Sequence, residues 1–163
     1  MKEGKPVIIQ GDGTSLWHVT FNSDFAIGYT ALMGNRHAIG EAFQMTGDET
    51  LTWNQIYATI ADALGVELKA YYVSSAFLAA VGDKYGYDYT GALIGDKSSS
   101  VVFDNTKLKR LAPDMGTHVP LHVGVRIALD HILSHPECQK EDPEFDAWCD
   151  RVIEALEKAK ESI

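Results

Sequence analysis

The side chains whose types and spacing suit chemistry concentrate between residues 11 and 26, "GDGTSLWHVTFNSDFA". Trp17 and His18 are neighbours on a strand-like stretch, so their side chains face opposite sides and only one of them can enter a core. Trp17 offers a stacking plane and an N–H, and His18 a titratable donor or acceptor. Asp96 and Lys97 lie in a glycine- and tyrosine-rich stretch, "GYDYTGALIGDKSSS" (86–100), of the irregular kind that often forms binding loops. They either hold a polar ligand or face water. The glycine pair around Asp12 is no phosphate cradle. No lysine follows at the P-loop offset, and the turn leads into a strand instead of opening a helix. Asp-Gly chemistry predicts a hairpin between "PVIIQ" and "SLWHVTF".

Other constellations are weaker. His118 with His122, and His131 with His135, are each one helical turn apart, and Cys138 follows. Such pairs chelate zinc only when three or four ligands converge, and these sit at opposite ends of one helix. Solvated histidines flanking an amphipathic helix account for them, and no metal ligand is assigned. A serine nucleophile would need a G-x-S-x-G elbow, which does not occur. The paired acids Asp12 with Asp24, and Asp142 with Glu144, read as turn and cap residues. No residue of the chain is assigned a catalytic role.

The elements that must position these residues follow from periodicity. From Asn22 the pattern becomes helical, with Phe25, Tyr29, Leu32 and Met33 in phase, Asn22 or Ser23 as cap and Gly34 as stop. "EAFQMTG" (41–47) predicts a short strand. "LTWNQIYATIADALG" carries the strongest helix signal: Thr52 and Gln55 form a capping box, Leu51 and Ile56 a staple, and Gly65 ends a stripe of Ile56, Tyr57, Ile60 and Leu64. "ELKAYYVS" predicts a strand, "SAFLAAVGDKY" a short helix, "VVFD" a strand and "NTKLKRL" a short helix. Two more helices follow, about 119–134 and from Pro143, the latter capped by Asp142 with Phe145, Trp148, Val152 and Leu156 as its stripe. Strands and helices alternate, so the class is α/β or α+β, and the length fits a single domain over residues 1–163.

Composition narrows the function classes. Apolar residues make up 45% and charged residues 23%, the balance of a globular protein. A formal charge of -9 without a basic stripe argues against nucleic acid, whose affinity comes from lysines and arginines on phosphates. No apolar run is long enough for a membrane span, and the first residues lack the apolar core of a secretory signal, so a cytoplasmic location is expected. Cys138 and Cys149 are too few for a disulfide framework.

Read together, "GKPVIIQGDGTSLWHVTFNSDFA", "IGEAFQMTGDETLTWNQIYATIADALGV" and "GDKSSSVVFDNTKLKRLAP" resemble the C-terminal half of extended short-chain dehydrogenase/reductases, the NAD-dependent epimerase/dehydratase family. The resemblance runs over nearly the whole chain. It implies the substrate-binding part of a Rossmann-type NAD(P)-dependent epimerase, dehydratase or reductase, inactive alone, with NAD or NADP on a part not contained in these residues. Family members hold the dinucleotide on a glycine-rich turn and use a Tyr-x-x-x-Lys pair; here Lys84 and Lys97 have Ala80 and Leu93 four residues earlier. After "GDG" the family usually carries Arg-Asp, the arginine gripping a nucleotide-sugar diphosphate. Trp17 and His18 stand at those positions, which weakens the expectation of a nucleotide-diphosphate ligand and leaves another sugar or carbonyl compound. Asp24 matches an acid with a structural role at the helix start.

In full-length relatives the stretch matching "EAFQMTG" returns to the Rossmann sheet. Surfaces over residues 23–46 are therefore expected to be exposed and to favour a homodimer. Two alternatives remain: a non-catalytic module binding a small ligand or protein, and a metal-dependent enzyme using His118, His122, His131 and His135.

Overall fold

A computed structural model describes all residues, 1–163, as two small sheets wrapped by helices. Strand β1 (Val7–Gln10) pairs in parallel with β4 (Ala70–Val73), and β2 (Leu16–His18) pairs antiparallel with β3 (Thr50–Thr52). The mixed α/β class is therefore as expected, but the "GDG" hairpin is not. Its flanking strands belong to different sheets. Gly11 and Gly13 take left-handed φ of 63° and 71°, and Asp12 Oδ1 accepts from the Thr14 N–H and hydroxyl, so the chain turns sideways out of one sheet into the other. Turn chemistry specifies the bend, while pairing partners are set by residues forty and sixty positions away.

Helix α1 (Asn22–Leu32) starts after Phe21 with no side-chain cap, contrary to the expected Asn22 or Ser23. Asp24 instead turns inward. It is 1% exposed, and its Oδ2 accepts the N–H groups of His118 and Val119, both at 3.0 Å. Gly28, also buried, brings α1 against Met45, Leu108 and Met115. Phe25, Tyr29 and Met33 consequently point outward.

Residues 41–47 form no strand, because no partner edge lies beside them. Phe43 and Met45 pack instead on the cluster of Leu108, Ala112 and Met115. Helix α2 (Trp53–Leu64) has both hydrogen bonds of the Thr52–Gln55 capping box and ends at Gly65 with φ of 67°. Helix α3 (Ser75–Gly82) follows β4, capped by Ser74.

The stretch read as largely irregular holds a π-helix, Thr90–Lys97, whose Leu93 enters the main core with Val73, Leu78, Trp148 and Val152. Helix α4 (Thr106–Lys109) is short; α5 (Leu121–Ser134) packs on α2; and α6 (Pro143–Glu161), capped by Asp142, supplies the two innermost core residues of its predicted stripe. "VVFD" is not a strand. Val101 N–H reaches Leu16 O at 3.1 Å, but the next ladder position is taken by a side chain: Phe103 N–H donates to His18 Nε2 at 3.1 Å.

Candidate functional site

The site assembles where β2, the start of α2, the end of the π-helix and residues 100–103 meet. Trp17 stacks on Trp53, with centroids 5.9 Å apart and planes 29° apart, and meets Phe103 edge-on at 6.4 Å. Lys97 Nζ lies 5.5 Å from the Trp17 ring centroid. Ser15 Oγ donates to Lys97 O at 2.9 Å, which ties the π-helix end to the loop after Asp12. Trp17, Trp53 and Lys97 thus form one cation-capped aromatic group.

Asp96 pairs with Lys97 at 2.9 Å, and the same ammonium donates to Ala92 O at 3.3 Å. The Lys97 charge is therefore largely balanced before any ligand arrives.

His18 faces away from this group, as strand alternation requires, but neither it nor Trp17 is fully buried. Its Nε2 receives the Phe103 N–H and lies 3.2 Å from Thr50 Oγ1. An acceptor Nε2 places the ring hydrogen on Nδ1, which is buried and without a partner. His18 holds β2 against residues 101–103, so it positions the Trp17 side of the strand. Of the four candidates, the structure brings together Trp17, Asp96 and Lys97, and sets His18 behind them.

Behind the aromatic group opens a cleft of about 1080 Å³ between β1, the first turns of α2, the π-helix and α6. Trp53 and Lys97 belong to both. Ile8 and Gln10 face the cleft from one side of β1, while Ile9, on the other side, is fully buried. Tyr57, Tyr89 and Cys149 line it further in, and burial pushes all three acids up: Tyr57 above the usual phenol range, Tyr89 to about 12 and Cys149 to about 11. At neutral pH they are uncharged donors. Of the cleft residues only Lys97 is a candidate from sequence, yet one further signal is present. Gln10 interrupts an apolar run at an inward position of β1, where a polar side chain needs a partner.

The glycine turn does not fit a dinucleotide. It runs into β2 with no helix start to receive a phosphate, and Asn54 fills the space beside Gly13, its N–H also donating to Gly13 O at 2.9 Å. The histidines at 118, 122, 131 and 135 come together in no three-ligand group, which leaves the metal-enzyme alternative without support. His118 Nε2 is engaged with Asp114 O, and His135 Nδ1 with His131 O. No helix is long and apolar enough to cross a membrane.

This arrangement of sheets and helices is the fold of the C-terminal portion of NAD-dependent sugar-nucleotide epimerases and dehydratases. The UDP-glucuronic acid 4-epimerase of Bacillus cereus, solved with UDP-glucuronic acid and NAD, is similar over 81% of the present chain, with a TM-score of 0.62 and 22% identity. The dTDP-glucose 4,6-dehydratase of Bacillus anthracis, solved with NAD, is similar over 83% with a TM-score of 0.60 and 16% identity. The UDP-glucose 4-epimerase of Thermus thermophilus, also with NAD, gives 0.52 and 17% over 80%. The chain spans only 36–37% of the length of these proteins. No family model matches it, and no curated protein does so in sequence.

Proposed function

We propose that this chain is the substrate-binding portion of an NAD(P)-dependent epimerase, dehydratase or reductase, and that its ligand is a sugar or related carbonyl compound. The observation that carries the proposal is the match, over four fifths of the chain, to the C-terminal part of an epimerase whose structure holds UDP-glucuronic acid and NAD. The local chemistry agrees with it. Trp17, backed by Trp53, offers a flat face to a ring; Lys97, paired with Asp96, offers hydrogen-bond donors beside that face; His18 keeps β2 in place.

The division of labour is equally specific. In this reading the portion binds and orients the substrate, and the proton and hydride transfers are not assigned to any of its residues. The expected homodimer, if formed, would use the outward face of α1 and leave the cleft free.

Titration of the purified chain tests the reading. Two of its three tryptophans, Trp17 and Trp53, lie in the aromatic group, so ligand entry changes the intrinsic fluorescence. Sugars or sugar nucleotides should shift the signal in a saturable way, and Trp17→Ala should weaken that response. NAD or NADP should bind no better than millimolar. Micromolar binding of NAD(P) by the chain, or no response to any sugar-bearing compound, would overturn it.

A further inference from the structure

The cleft behind the aromatic group has a composition that specifies its occupant more narrowly than the fold does. Its lining carries one aromatic wall, Trp53, Phe145 and Trp148 among it, with Tyr89 and Phe145 both stacked on Trp148 at 5.6 and 5.9 Å. Among these rings stand four uncharged polar groups that no other side chain or backbone group satisfies. The Gln10 amide is one: the residue is only 7% exposed, faces the cleft, and its side chain makes no hydrogen bond in the chain. The Tyr57 and Tyr89 hydroxyls and the Trp53 Nε1–H are the others. Trp53 Nε1 is a buried donor without a partner, which is costly, so such a group calls for a ligand or ordered water.

Charge points the same way. No arginine lines the cleft. Lys5 is paired with Asp150 at 3.0 Å and Lys97 with Asp96 at 2.9 Å, while the remaining lysines, Lys2 and Lys140, are exposed. With no arginine, with Lys5 and Lys97 already paired and with Asp146 on the wall, the interior offers a diphosphate little to replace its hydration.

We infer that this cleft binds an uncharged hydroxylated ring, a glycoside or free sugar, with its C–H faces against the aromatic wall and its hydroxyls on Gln10, Tyr57 and Tyr89. The inference rests on the substrate-binding reading above and names the part of the ligand that enters the cleft. A volume of about 1080 Å³ leaves room for a ring with a sizeable apolar substituent.

The probe set is a panel of methyl and phenyl glycosides of the common hexoses and pentoses, compared with UDP-glucuronic acid by saturation-transfer NMR and tryptophan fluorescence on the same protein. Tyr57→Phe and Tyr89→Phe remove one hydroxyl each while keeping the ring. Because neither hydroxyl has a partner in the free chain, the thermal midpoint should hold. Each variant should weaken glycoside binding about three- to tenfold, the loss of one net hydrogen bond. Gln10→Met, close in shape without the amide, should do the same.

Glycoside binding that responds to these variants establishes the assignment. Binding of UDP-glucuronic acid alone, indifferent to all three, overturns the inference and leaves the proposed function standing. Binding of neither class overturns both.

Discussion

At the scale of single residues, the turn that leads into the site depends on Gly13. Its φ of 71° lies where side-chain-bearing residues are strained, and a Cβ there would collide with the Asn54 amide. Asn54 cannot simply withdraw, because its Nδ2 donates to Asp12 O and its Oδ1 accepts from Tyr72. Gly13→Ala should therefore cost about 1–3 kcal/mol, visible as a lowered urea midpoint at unchanged slope. Gly40, also at positive φ but with open space around its Cβ position, provides the control and should lose only about 1 kcal/mol. His18 makes a second residue-scale case. Substituting Ala removes the acceptor of the Phe103 N–H, so residues 101–103 should loosen from β2, and faster amide exchange at Phe103 would show it.

At the scale of elements, what was legible in the sequence depended on how local the determining interaction is. The start and stop of α2 were readable because Thr52, Gln55 and Gly65 act within one turn of themselves. Thr52→Ala should remove about 1 kcal/mol of stability by undoing that box. The pairing of β1 with β4 was not readable, since it joins residues more than sixty positions apart, and the "GDG" turn looked like a hairpin for that reason. "VVFD" has strand propensity but loses its ladder to an imidazole, which propensity cannot reveal. Trp17, Asp96 and Lys97 were found as separate letters; that they share one site with Trp53 follows only from the π-helix reaching back to β2.

A further element-scale device holds the 46–48 turn. Asp48 receives Lys109 Nζ at 2.5 Å and Asn105 Nδ2 at 2.9 Å, and Thr117 Oγ1 takes its N–H. The bond from Lys109, then that from Asn105, holds the Asp48 carboxyl below its ordinary 3.8. A carboxyl lowered on folding stabilises the fold above its unfolded value and loses that contribution as pH falls through the folded one. Stability should drop below about pH 4, and Asp48→Asn should flatten that part of a pH-dependent denaturation profile. The half-exposed side chain keeps the effect small.

At the scale of the whole molecule, the notable quantity is how little is buried: 21 of 163 residues, of which only five and three gather into two separate apolar clusters. A chain of this length ordinarily removes about two thirds of its surface from water. Here Phe25, Tyr29, Met33 and Ile39 are 45–78% exposed, and the first two stack on each other at 6.1 Å on the outer side of α1. Gly28 and Asp24 explain the orientation, since the inward side of α1 is committed to close packing and to the His118 and Val119 amides. An apolar stripe left in water favours association. The isolated chain should therefore self-associate through residues 23–46, with a mass that rises with concentration in light scattering. Phe25→Glu with Tyr29→Glu should return it to a monomer with no loss of thermal stability, because neither ring contributes to the inner clusters. Glycoside binding should survive in that double variant, since the cleft lies between β1, α2 and α6 and shares no residue with the α1 stripe. A chain that stays monomeric at high concentration with residues 23–46 protected from exchange would show that α1 has found its cover within the molecule.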